Sequence, residues 1–224
     1  MKECLSTWQF HYSVMNITAL RPRLLSKLEP IADLFVRAGI SPNQISYLSL
    51  LAGFFCAVAF AERLFLAGAL LLLLSAVLDL VDGTVARKKH CQTKFGAVID
   101  WVFDKYVDAL ALLGIGLSGV AVVSNFLPLP PAADFAVVAI AIFGSMINTF
   151  IKPVVYAEVG FTERVDGKIH DPLEGVGFFG RPETLITLIV GAVVGFPGLA
   201  VVLIAVCTNL SAVQRIVYLS RSLP

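Results

Sequence analysis

The chain has 224 residues, of which 58% are hydrophobic and 15% charged. Soluble domains run at about 45–50% apolar and about 25% charged, so this composition argues against a soluble globular protein and against a disordered chain. The net charge of +1 provides no broad basic field, which speaks against a nucleic-acid partner.

Residues 1–16 read as an N-terminal extension, and residues 17–220 as one membrane domain. The first 14 residues hold no continuous apolar stretch and are not expected to be a signal peptide; Met15 reads as the natural start of the domain. Residues 17–38 are too charged to span a bilayer. Leu24, Leu28, Ile31 and Phe35 recur at helical spacing with Arg23, Lys27 and Asp33 between them, which predicts an amphipathic helix lying in the membrane interface. Pro30 should kink it and Gly39 should stop it.

A membrane helix needs about 20 mostly apolar residues. Six runs approach this between about residues 43 and 220: Ile45–Ala61, Leu64–Leu80, Ala97–Val123, Phe135–Ile151, Thr184–Phe196 and Leu199–Tyr218. The fifth is short and ends at the turn signal Phe196-Pro197-Gly198, so a five-span reading is also open. Basic residues favour six. They gather before span one (Arg21, Arg23, Lys27, Arg37), after span two (Arg87, Lys88, Lys89, Lys94), after span four (Lys152, Arg164, Lys168, Arg181) and in the tail (Arg215, Arg221). The intervening connections carry only Arg63 or none. This alternation predicts a multi-pass protein of the cell membrane with both ends in the cytoplasm.

Cys4, Cys56, Cys91 and Cys207 show no CxxC spacing and are expected to be free thiols. Gly114, Gly116, Gly119 and the Gly191-x-x-x-Gly195 pair suit either a homodimer seam or close packing within one chain, and the second is favoured for any one of them. Glu163, Asp166, His170, Asp171 and Glu174 lie in the connection Ala157–Gly180. Their spacing matches no compact ligand pattern, so a solvated lid or surface loop is expected there.

The chemistry is concentrated around spans two and three. An Asp at mid-helix costs roughly 2.5–3.5 kcal/mol on insertion scales. Asp79 and Asp82 are three residues apart, and Asp100 and Asp104 four apart, so each pair shares one helical face. Consecutive spans joined by a short loop are expected to be antiparallel neighbours, which would bring four carboxylates around one polar cavity. Such a cluster needs cations to stay ionised, and oxygen-only donors select hard ions such as Mg²⁺, Mn²⁺ or Ca²⁺. Gly83, Ala86 and Gly96 leave room beside the acids for a bulky ligand, and Arg87 offers a fork suited to phosphate. Metals, arginine and glycine gaps together suggest a diphosphate. Lys105 and Asp108, three apart, can pair beside the site.

Asp79-Leu-Val-Asp82-Gly83-Thr-Val-Ala86-Arg87, eight residues, then Gly96-Ala-Val-Ile-Asp100-Trp-Val-Phe-Asp104 resembles the signature of the CDP-alcohol phosphotransferases at all eight fixed positions. The likeness extends to the interfacial helix and to Ser41-Pro42-Asn43-Gln44-Ile45-Ser46 at the start of span one. It implies an all-α integral membrane fold of six transmembrane helices with an N-terminal interfacial helix. It also implies an enzyme of phospholipid synthesis that moves the phosphatidyl-type group of a CDP-linked lipid to an acceptor alcohol and releases CMP on the cytoplasmic side. By position, Asp79, Asp82, Asp100 and Asp104 would surround two Mg²⁺ or Mn²⁺ ions, and Asp104 would be the general base. Gly83, Ala86, Arg87, Thr93 and Gly96 would line the nucleotide, with Asp79 beside them and Asn43 and Ser46 closing over it.

In the inositol-phosphate branch of that family, a basic residue near the end of span four and an Arg before span five hold the acceptor phosphate. Lys152 and Arg181 occupy those places, while the second Arg often found two residues after the first is Val154 here. A phosphorylated polyol such as inositol phosphate is the expected acceptor, with glycerol 3-phosphate or serine as alternatives. A reading from a different class, a divalent-cation transporter, would need polar groups continuing across the membrane, whereas Ala109–Val123 is apolar. The implied partners are the bilayer, the CDP-lipid, a small alcohol and a second copy of the chain.

Overall fold

The computed structural model describes residues 21–124, 126–160, 164–165, 168–169, 173 and 176–223. The N-terminal extension, Cys4 and the first turn of the expected interfacial helix lie outside the described residues. That helix, α1, runs over Arg21–Arg37 with Pro30 inside it. It ends at Gly39 (φ 74°), where Gly39 N–H donates to Val36 O and Ile40 N–H to Phe35 O. This is the paired closing pattern that a left-handed glycine permits. The apolar face is split differently from the expected stripe. Ala32 is fully buried, and Leu28 and Phe35 pack with it against Ile45, Val81 and Val85, while Leu24, Ile31 and Leu34 stay exposed. Lys88 joins the helix to the end of the third helix by a 2.6 Å ion pair with Asp33.

Helix α2 spans Pro42–Ala61, α3 Phe65–Lys88 and α4 Lys94–Leu117. Ser41 starts α2 with a reciprocal cap: its hydroxyl accepts from Gln44 N–H and its own N–H donates to Gln44 Oε1. Thr93 starts α4 by accepting from Gly96 N–H at 2.9 Å. The expected direct pairing of spans two and three is corrected here. Helices α3 and α4 barely touch, because α2 packs along both of them. Two glycines make that possible. A Cβ on Gly114 would lie 2.4 Å from the Ala57 carbonyl oxygen, and one on Gly53 would lie 2.6 Å from Val107. Ser49 and Ser75 join α2 to α3 by exchanging hydroxyl-to-carbonyl hydrogen bonds of 2.8 and 2.9 Å, as expected for polar groups that have no water to turn to.

The third span was expected to reach Val123, but α4 stops at Leu117. Arg63 donates to the Ser118 and Gly119 carbonyls, and Gly119 turns left-handed (φ 66°). Beyond it, the Asp134 carboxylate accepts from the backbone N–H groups of Val122, Val123 and Ser124. Asp134 lies in the first turn of α5, Pro131–Val159. A two-residue antiparallel hairpin follows, β1 (Arg164–Val165) with β2 (Lys168–Ile169), then α6 (Arg181–Val194) and α7 (Pro197–Ser222). The acidic and histidine side chains singled out in the Ala157–Gly180 connection lie outside the described residues. Part of that connection is packed, not solvated: Leu173 and Val176 are buried with Val155 and Tyr218.

Gly191 packs on Ala200, Gly116 on Val138 and Gly114 on Ala57 within the chain, while a Cβ on Gly195 would meet nothing within 4 Å. Cys56, Cys91 and Cys207 are free thiols. Among the described residues, four helices, α2, α3, α5 and α7, are long and apolar enough to cross a membrane by length and composition. Helix α4 is long enough but carries Asp100, Asp104, Lys105 and Asp108, and α6, with 14 residues, is only about 21 Å long against a hydrocarbon core of about 30 Å. A core containing Phe60, Leu72, Leu112, Ile115, Leu188 and Ile204 fills the bundle, while Leu66, Leu70, Phe143, Phe150, Leu203 and Leu210 face outward. Outward apolar faces on successive helices are a liability in water and suit a chain solvated by lipid.

Candidate active site

Three helix ends converge at one end of the bundle. Helix α2 contributes its first turn, α3 its last two turns and α4 its N-terminal half. Between them lies an open cleft lined by Asn43, Ser46, Asp82, Gly83, Ala86, Arg87, Thr93, Gly96 and Asp100, together with Pro42, Cys91, Gln92 and Ala97. Thus all but one of the residues assigned to the nucleotide from the sequence share one concave surface. Asp79 is the exception. Cys91 and Gln92 were not singled out. Their position between the two halves of the motif was the available signal.

The electrostatics of the cleft follow from its construction. The N-termini of α2 and α4 both open onto it, so the positive ends of two helix dipoles favour an anion there. Opposite them stand the acids. One carboxylate oxygen from each of Asp79, Asp82 and Asp100 lies within 4.8 Å of the others. Asp82 is buried and accepts a 2.5 Å hydrogen bond from Ser46. A donor set of three carboxylate oxygens, one already oriented by a serine, fits a hard divalent cation. Arg87 is steadied by donating to Thr84 at 3.1 Å. Gly83 is open: a Cβ there would meet nothing nearer than Arg87 Nη1 at 3.6 Å. Gly96 is tighter, with Thr93 Oγ1 at 3.1 Å and Asn43 Oδ1 at 3.7 Å from a built Cβ.

Asp104 stands outside the three-acid group and is held by Arg181. The guanidinium spans three carboxylates: Nη1 to Asp79 at 2.8 Å, Nη2 to Asp104 at 2.9 Å and Nε to Asp108 at 3.4 Å. Asp108, only 2% exposed, also accepts from Lys105 at 2.6 Å, which is the pair expected from the sequence. The contact between Arg181 and Asp108 was not foreseen, although Asp108 falls one helical turn after Asp104 and extends the same acidic face.

Arg181 is the first residue of α6, and the segment before it is strongly fixed. Asn148 donates to Phe179 O at 2.7 Å, Phe179 N–H donates to Ser211, and Phe178 N–H donates to Gln214. Arg215 donates to Val176 O at 2.9 Å and to Asn148 O. Arg215 had been read as a flanking charge of the tail. The structure corrects this: it is buried, 6% exposed, with its guanidinium donating to two backbone carbonyls, those of Val176 and Asn148. Lys152 is half-buried on α5 and is not part of the cleft lining.

The chain is similar to known proteins. Residues 39–213 match the CDP-alcohol phosphatidyltransferase family model. The phosphatidylinositol phosphate synthase of Corynebacterium glutamicum is 33% identical over 177 residues, 78% of this chain and 71% of that protein. The archaetidylinositol phosphate synthase of Pyrococcus horikoshii is 31% identical over 103 residues, 46% of this chain and 55% of that protein. The crystal structure of Mycobacterium tuberculosis phosphatidylinositol phosphate synthase with CDP-DAG bound has a TM-score of 0.66 at 25% identity, covering 84% of this chain and 90% of that one. The chain spans about half the length of several curated relatives it matches, 50% and 55% in two cases and 38% in a third. A match over residues 39–213, which takes in both halves of the acidic motif and five of the seven described helices entire, makes this chain a member of the CDP-alcohol phosphatidyltransferase family.

Proposed function

We propose that this chain transfers the phosphatidyl-type group of a CDP-linked lipid to a phosphorylated polyol and releases CMP. The observation that carries this reading is the cleft itself. Glycine-lined space, two helix N-termini and Arg87 face a group of three carboxylates, which is a site for a diphosphate and the hard cations that accompany it. Asp79, Asp82, Asp100 and Asp104 would hold two ions, Mg²⁺ or Mn²⁺. Bound there, the metal would neutralise the diphosphate and the charge that develops on CMP.

The chain's own residues supply the rest. Ser46 orients Asp82, and Asn43 closes over the nucleotide beside it. Gly83 and Gly96 let the nucleotide approach the backbone. Asp104 takes the hydroxyl proton as the acceptor oxygen bonds to the lipid-side phosphorus and the bond to CMP breaks. Lys152 and Arg181 bind the acceptor's phosphate. Inositol phosphate is the first choice of acceptor, supported by relatives named for that product, with glycerol 3-phosphate or serine as alternatives.

We place all six apolar helices, α2 to α7, across the membrane, with α1 in the interface and the cleft on the cytoplasmic side of the cell membrane. The basic residues of α1 and of the α3–α4 connection support that orientation. A homodimer must use a face other than Gly53, Gly114 and Gly191, which are filled within one protomer. The transporter reading is disfavoured because Ala111, Leu112 and Ile115, beyond the acids on α4, are fully buried in a packed core. The test is to incubate the purified chain with labelled CDP-lipid and inositol phosphate, glycerol 3-phosphate, inositol or serine in turn. The reading requires a phosphorylated lipid product from a phosphorylated acceptor; product only from serine or free inositol contradicts it.

A further inference from the structure

Arg181 lies where two demands on the same carboxylates meet. Its guanidinium pairs with Asp79, Asp104 and Asp108. Asp79 is at the same time one corner of the group with Asp82 and Asp100 that suits a divalent cation. Arginine carries its charge at every accessible pH. A divalent ion and a guanidinium on neighbouring oxygens of Asp79 therefore repel each other, and more strongly here than in water.

We propose that Arg181 competes with the divalent cation for the acid cluster, and that the acceptor's phosphate relieves the competition by drawing the guanidinium to itself. The inference rests on the reading of Arg181 as part of the acceptor-phosphate site. The backbone around Arg181 is fixed by Asn148, Ser211, Gln214 and Arg215, so the exchange is a rotation of one long side chain and needs no helix movement. A phosphate dianion accepts two parallel N–H donations from the fork, as Asp79 and Asp104 do now one apiece. Once the fork turns to phosphate, Asp79 is released from Arg181 toward the metal, and Asp104 is released toward the hydroxyl proton. An alcohol without phosphate leaves Asp104 paired. The phosphate is thus recognised through the release it causes as well as through its affinity.

The experiment measures Mn²⁺ binding to the purified full chain in lipid nanodiscs, from the free Mn²⁺ signal in electron paramagnetic resonance. Wild type, Arg181→Gln and Arg181→Lys are compared with and without inositol phosphate. Losing a charge-assisted competitor should tighten Mn²⁺ binding about tenfold or more in Arg181→Gln, and by less in Arg181→Lys, which keeps a cation without the fork. Inositol phosphate should tighten Mn²⁺ binding to wild type and hardly alter that of Arg181→Gln. Mn²⁺ should also raise the melting temperature of Arg181→Gln more than that of wild type. Unchanged Mn²⁺ affinity in both variants, or equal tightening by inositol phosphate in wild type and Arg181→Gln, overturns the proposal. The acceptor KM is read separately. A raised KM with unchanged Mn²⁺ binding defeats the competition and keeps the phosphate site; tighter Mn²⁺ binding with an unchanged KM does the reverse.

Discussion

Gly83→Ala separates the roles of room and stability more cleanly than loss of any charged residue. Gly83 is inside α3, half-buried and on the cleft wall. An added Cβ would meet only Arg87 Nη1, at 3.6 Å, which is ordinary contact. Replacing a helix-interior glycine with alanine is worth about 0.8–1 kcal/mol of helix propensity, so the variant should be as stable as wild type or more so. The same methyl occupies space the nucleotide needs. Overpacking a close-fitting site costs about 1–3 kcal/mol, which corresponds to roughly a 5- to 150-fold rise in KM for the CDP-lipid. Gly114→Ala is the control with the opposite signature. Its Cβ would lie 2.4 Å from Ala57 O and 2.8 Å from Ala57 Cα, where backbone meets backbone and neither can yield. That variant should lose stability. Melting temperature in detergent and KM for each substrate are the assays. A Gly83→Ala enzyme with unchanged CDP-lipid KM would refute the assignment of this cleft to the nucleotide.

Asp104→Asn should abolish transfer while CDP-lipid binding persists, since the amide keeps the size but cannot take the proton; near-normal turnover in a purified assay removes Asp104 from that role. Asp79→Asn and Asp100→Asn should each shift activity to higher Mg²⁺ or Mn²⁺ concentration as well as lower it, because each removes a hard anionic donor; identical metal curves for both variants and wild type contradict a shared site. Lys152→Gln should raise the acceptor KM by roughly 10- to 150-fold, the worth of one charge-assisted bond, and leave the CDP-lipid KM nearly unaltered. Equal shifts in both constants would return Lys152 to a charge at the membrane boundary.

The acids were legible because their cost in an apolar helix is high and their i, i+3 and i, i+4 spacings fix a face. Asp79, Asp82 and Asp100 do meet, and the glycines and Arg87 do share a cleft with Asp82 and Asp100. The way they meet was not legible. Sequence order suggested that α3 and α4 pack together, but only the close fit of Gly53 on Val107 and of Gly114 on the Ala57 backbone shows how α2 lies along α4 and keeps α3 from it. The position of Arg181 could be found, and its partners could not. A basic residue at the end of an apolar run is what topology alone would also place there, and nothing in the spacing reveals that three carboxylates from α3 and α4 share it. Arg215 was obscured for the same reason. The split apolar face of α1 became visible only with the ends of α2 and α3 beside it: Leu28, Ala32 and Phe35 turn toward protein, and Leu24, Ile31 and Leu34 do not.

Metal-dependent release of CMP tests the central claim most directly. The purified chain, stripped of divalent cations and reconstituted with a CDP-linked lipid and inositol phosphate, should release no CMP. Adding Mg²⁺ or Mn²⁺ should restore release in step with the appearance of a phosphorylated lipid, one CMP for each lipid formed. Failure to release CMP with metal and acceptor present, or release at the same rate without any divalent cation, would contradict the account.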